Sequence, residues 1–134
     1  MIRYREGFKY VLEDDTTRLT NVCPTVSIAW KWGILSSTGA ATILHDYPWD
    51  GPSGPMPDID SAMGPSLFHD WFYQMIRLGL LHKSFKPQID DLLHRMCVDA
   101  GMVHVLAEIV EEAVENFGDS SVDPSAEHPI LEAP

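Results

Sequence analysis

Residues 66–78, SLFHDWFYQMIRL, are the stretch from which the rest of this chain is read. Ser66 is a helix-capping residue type, Gly79 follows as a stop, and no breaker lies between them, so the spacing predicts a helix over 66–78. At about 100° per residue, His69 and Tyr73 stand one above the other while Asp70 points to the adjacent face. One helix therefore offers a base, an anion and a phenol over a narrow arc.

Working downstream, residues 87–100 (PQIDDLLHRMCVDA) open with Pro at a first-turn position, and Gly101 stops them. Ile89, Leu92, Leu93, Met96 and Ala100 form one helical stripe. A third helix is predicted over 102–117, with Val103, Leu106, Ala107, Val110, Val114 and Phe117 inward and Glu108, Glu111, Glu112 and Glu115 solvated. Asp90 and Asp91 fall in the first turn of the second helix. If the first two helices run antiparallel, Asp90 comes against His69, where a carboxylate fixes the imidazole tautomer and stabilises its protonated form.

Upstream, residues 8–12 and 17–22 flank Glu13-Asp14-Asp15-Thr16 and suggest an antiparallel hairpin. In 26–32 (VSIAWKW), Val26, Ile28, Trp30 and Trp32 alternate with polar or small residues, as in a half-buried strand, and 40–45 is expected to return against it. Residues 47–65 contain five prolines with interspersed glycines and read as a long loop. Residues 119–134, with three prolines and four acids, read as a flexible acidic C-terminal tail. The expectation is one α+β domain over 1–118, with an N-terminal antiparallel β region, a Gly/Pro-rich loop and three helices.

The length of 134 residues suits one core, and 45% hydrophobic residues are too many for general disorder. The net charge is −11, and no Lys or Arg follows Arg95, so residues 96–134 carry nine acids and no base. Such a surface repels phosphate backbones, which argues against nucleic acid as a direct partner. It suits a protein partner with a basic face. No signal-peptide-like apolar stretch follows the N-terminus, and nowhere are there about 18 consecutive apolar residues, so a soluble protein is expected. Cys23 and Cys97 allow one disulfide at most, and Cys97 reads as a small core residue.

The loop Trp49-Asp50-Gly51-Pro52-Ser53-Gly54 carries glycines that let backbone carbonyls converge as hard-oxygen ligands, and Asp70 supplies a carboxylate for a calcium site. Loop, helix and Asp90 together suggest a calcium-assisted hydrolase.

These residues resemble the phospholipases A2 of the histidine–aspartate type, which pair an H-D-x-x-Y helix with a short Gly-rich calcium loop upstream and an Asp on an antiparallel helix. Gly51 precedes His69 by 18 residues and Asp90 follows it by 21, separations similar to those of the compact prokaryotic and viral-capsid members. The acidic stretch Pro57-Asp58-Ile59-Asp60 also looks like that family's segment between loop and helix. The resemblance covers residues 47–100. It implies phospholipid esters as substrate, His69 as the base that deprotonates water, Asp90 steadied by Tyr73 as its orienting group, and calcium held by Asp70 with the carbonyls of Trp49, Gly51 and Ser53. Asp50 is a further calcium ligand or a cap of the loop. This chain departs from the secreted members in having Leu67, Phe68, Trp71 and Phe72 rather than cysteines around His69, and Ser53 where a Gly is usual.

The chain also resembles a family of small phage and prophage proteins with an N-terminal β region, W-D-G-x-S as at 49–53, H-D-x-x-Y as at 69–73 and an Asp near 90. That resemblance implies a viral protein, virion-associated or in the cytoplasm of an infected host, and leaves room for a non-enzymatic virion component or host-factor binder on the same fold. His45-Asp46 suggests a metal phosphohydrolase only weakly, because Pro48 ends that run. His82, His94 and His104 are expected to cap or line helices. Trp71, Phe72, Met75, Ile76, Leu78, Leu80 and Leu81 form either a core stripe or a ridge for lipid contact.

Overall fold

In the computed structural model, residues 2–5, 10–52, 59–124 and 130–133 are described. The architecture is α+β: short antiparallel strands come first and three helices follow.

The sheet grows from a turn that the sequence obscures. β3 (Thr16–Leu19), β4 (Ile28–Trp30), β5 (Gly33–Leu35) and β6 (Ala40–Ile43) form a four-stranded antiparallel sheet in the order β3-β6-β5-β4. The alternation over 26–32 predicts one strand, but the chain reverses at Lys31-Trp32 and pairs Trp30 with Gly33. Gly33 permits this: its φ is +140°, and a Cβ there would lie 1.9 Å from the Thr42 carbonyl oxygen. Leu35, Ala41 and Ile43 are fully buried on the inner face, whereas Ile34 is half exposed on the other.

The hairpin expected between 8–12 and 17–22 does not form. β2 (Tyr10–Val11) instead pairs with β7 (Pro48–Trp49), matching Tyr10 to Trp49 and Val11 to Pro48. Two further bonds lock this pairing, Leu12 N–H to the Tyr47 carbonyl (2.9 Å) and Asp46 N–H to the Leu12 carbonyl (2.7 Å). The tail expectation also fails in part. Ile130–Ala133 is a strand, β8, paired antiparallel with β1 (Ile2–Arg5).

Helix α1 spans Asp60–Arg77, six residues longer at its start than the expected helix, so Ser66 lies inside it and not at its cap. Pro65 removes one backbone donor, a loss opposed by the burial of Ala62, Pro65, Leu67 and Phe68. Gly79, at φ +73°, ends the helix as expected. Helix α2 (Lys86–Asp99) stops before Gly101, at φ +100°, and α3 runs His104–Ser121. Val103 is 69% exposed, not inward, because it lies in the connection before α3.

The main core joins the sheet to α1 and α2. Trp71 is its centre, with its ring 5.6 Å from Trp30 and its indole N–H donating to the Trp32 carbonyl (2.9 Å). A second cluster of Ala62, Leu93, Cys97, Met102, Ala107, Val110 and Val114 fills the space among the helices. Cys97 is buried and Cys23 exposed, both as free thiols, so no bridge joins them. Burial pushes the Cys97 thiol up to about 11. Trp71, Phe72, Met75, Ile76 and Leu81 are core, so of the suggested lipid ridge only Leu78 and Leu80 remain exposed. Among the described residues no helix is long and apolar enough to cross a membrane.

Candidate active site

The antiparallel packing of α1 and α2 brings His69, Tyr73 and Asp90 into one buried cluster. His69 Nε2 lies 3.3 Å from Asp90 Oδ1, and the Tyr73 hydroxyl donates to the same oxygen at 2.5 Å. The His69 and Tyr73 rings touch at a centroid distance of 3.9 Å, tilted by 43°, as their four-residue spacing allows. His69 is 7% exposed and Asp90 fully buried.

Lys86, not singled out in the sequence, completes the cluster. Its Nζ donates to Asp90 Oδ2 (2.8 Å) and to the Val114 carbonyl of α3 (3.2 Å), so Asp90 accepts from two helices and is linked to the third. The i,i+4 spacing of Lys86 and Asp90 was its legible signal. Burial alone pushes the Asp90 carboxyl up, but the contacts from His69, Lys86 and Tyr73 prevail and hold it below the ordinary carboxylate value. For His69, burial pulls the imidazole down, and the neighbouring Asp70 and Asp90 outweigh it and raise the value above 6.5. Asp91 stays outside the cluster, paired on the surface with Arg95 Nε at 3.1 Å.

With Nε2 turned to Asp90, Nδ1 is the ring nitrogen left to act on a substrate, and it faces Asp70 Oδ1 at 3.9 Å, beyond hydrogen-bond reach. Asp70 belongs to a second face of α1 that carries Ser66, Asp70 and Gln74 at successive turns. The loop strand runs along this face. Trp49 Nε1 donates to Ser66 Oγ (3.2 Å), and the Tyr47 hydroxyl donates to Gln74 Oε1 (2.9 Å), which leaves Asp70 between the two anchors. Its side chain is one-third exposed.

Gly51 is buried at φ +74°, and a Cβ there would strike the Tyr10 ring at 2.5 Å. The backbone of the loop therefore passes closer to its neighbour than any other residue type allows. The Asp70 carboxylate is an oxygen donor of the kind a hard cation takes. Among the described residues no three His, Cys, Asp or Glu side chains converge as a metal group, so a calcium ion here would depend on main-chain carbonyls. Asp50 precedes Gly51 and is partly buried, while Ser53, Pro57 and Asp58 lie outside the described residues.

The other histidines are used elsewhere. His45 accepts no role here: its Nδ1 sits 2.7 Å from Asp15 Oδ1, which also accepts the His45 backbone N–H, on the surface. His82 caps the turn before α2 by accepting from Ser84 N–H (3.1 Å). His94 and His104 line the contact between α2 and α3.

No family model, curated protein or solved structure matches the chain, so the two resemblances rest on the motif residues alone.

Proposed function

We propose that the protein is a calcium-dependent hydrolase of phospholipid esters, similar to phospholipase A2, with His69 as its general base. The observation that carries this reading is the orientation of His69, with Nε2 engaged by a buried carboxylate and Nδ1 turned towards Asp70. In that arrangement His69 takes a proton from water at Nδ1, and the resulting hydroxide attacks the ester carbonyl carbon. Asp90 holds the tautomer and stabilises the imidazolium, and Tyr73 and Lys86 keep Asp90 ionised and in place. The proton then passes from Nδ1 to the departing alcohol oxygen. Asp70 and the carbonyls of Trp49, Gly51 and Ser53 would hold the calcium ion, with Asp50 beside them. When bound, calcium supplies positive charge for the carbonyl oxygen and the lipid phosphate, worth several kcal/mol in the transition state.

The test is fatty-acid release from phosphatidylglycerol–phosphatidylcholine vesicles, with millimolar calcium or with chelator, alongside calorimetric calcium titration. Release that stops on chelation and in His69→Gln, with calcium binding lost in Asp70→Asn, supports the assignment. No calcium binding at millimolar concentration and no release would overturn it. The buried network would then be structural, and the acidic C-terminal half, as a protein-binding face, would be the reading to pursue.

A further inference from the structure

Away from His69, the corner between α2 and α3 brings two imidazoles nitrogen to nitrogen. His94 Nε2 and His104 Nδ1 are 3.2 Å apart, with the ring planes nearly perpendicular at 89°. Each ring turns its other nitrogen towards a carboxylate of α3. His94 Nδ1, a buried atom, lies 3.0 Å from Glu111 Oε1, and His104 Nε2 lies 3.6 Å from Glu108 Oε1. The His94 contact is close but off the line of a hydrogen bond.

The two facing nitrogens stand at hydrogen-bond distance, one ring donating to the other, and a cation that displaces that proton leaves both lone pairs turned to one point. Two imidazoles on a tetrahedral zinc ion, at Zn–N distances near 2.0–2.1 Å, place their nitrogens about 3.3 Å apart. The observed 3.2 Å meets that separation. Carboxylates behind the ligating imidazoles are also how proteins orient histidine for zinc. A surface cleft of about 460 Å³ adjoins both rings and leaves room for solvent at the remaining coordination positions. Arg18 and Arg95 line the same cleft, but each faces a carboxylate, Asp99 at 3.0 Å and Asp91 at 3.1 Å, so their charges are balanced.

We propose that His94 and His104 form a two-histidine site for a divalent transition ion of the zinc type, which fastens the C-terminal half of α2 to the start of α3. No third His, Cys, Asp or Glu among the described residues joins them, so water completes the coordination sphere and the ion exchanges readily. Imidazole nitrogens select such ions over calcium, which keeps this site distinct from the oxygen-rich loop at Asp70.

The test is calorimetric zinc titration of the full chain in millimolar calcium, with melting curves on the same samples. One zinc ion per chain is expected, with a rise in melting temperature. Affinity should fall about tenfold or more in His104→Ala and in Glu111→Gln. His45→Ala should leave binding unchanged. His104 is largely exposed, so its variant keeps the fold, and nitrogen NMR of the His94 ring gives a reading on the native chain, with Nε2 shifting on zinc addition. No binding at millimolar zinc, binding unchanged in His104→Ala, or an unshifted His94 Nε2 would each overturn the proposal.

Discussion

Asp90 shows how one buried carboxylate can be required by three side chains at once. It accepts from Tyr73 and Lys86 and faces His69 Nε2, and it has no exposure through which water could replace a lost partner. Lys86→Met should therefore cost about 3 kcal/mol in denaturant unfolding, because it strips the cation from a buried anion. Asp91→Asn, one residue along but on the surface, should change stability by no more than about 0.5 kcal/mol. The pH dependence follows from the same contacts. The raised His69 value contributes stability that is complete below 6.5 and lost as pH rises through the folded-state value. The lowered Asp90 value contributes stability present above 3.8 and lost as pH falls through its folded-state value. A base must be neutral, so vesicle hydrolysis should rise with pH along a limb that follows the His69 titration in the calcium-loaded protein. In Asp90→Asn, proton NMR of the His69 ring should show its titration moved to lower pH.

At the level of strands and helices, the joint between sheet and α1 carries the most load. Gly33 turns β4 into β5 under the Trp71 ring, and a Cβ there would meet the Thr42 carbonyl and come within 3.2 Å of that ring. Gly33→Ala should destabilise by about 3 kcal/mol through backbone strain and displacement of β6. Trp71→Ala should cost about 3–5 kcal/mol by emptying the centre of the core, again read from denaturant midpoints. The helices were legible because their periodicity and their stops, Gly79 and Gly101, are local signals. The start of α1 was not. Gly64 and Pro65 read as breakers, while the burial that overrides them comes from residues distant in sequence. The strand pairings failed for a related reason. Residues 10–11 and 17–19 are similarly patterned, and nothing local says that the first pairs with Pro48–Trp49 and the second with Ala40–Ile43.

Over the whole molecule, charge is unevenly spread, with no base after Arg95 against nine acids. Repulsion among these acids opposes compaction, so raising sodium chloride from low ionic strength to about 0.15 M should raise the melting temperature. A fall would show that specific ion pairs outweigh the net charge. The spacing of His69, Asp70, Tyr73 and Asp90 already implied a polar site between two antiparallel helices, because a helix projects its side chains by a fixed local rule. The chain order likewise carried the α+β class. Folding in three dimensions added what no window of sequence contains: Lys86 inside the cluster, the Tyr47 and Trp49 bonds to α1 one turn to either side of Asp70, β8 on β1, and His94 against His104. Helix hydrogen bonds close within four residues, whereas strand pairing, burial and contacts between helices depend on which distant segments meet.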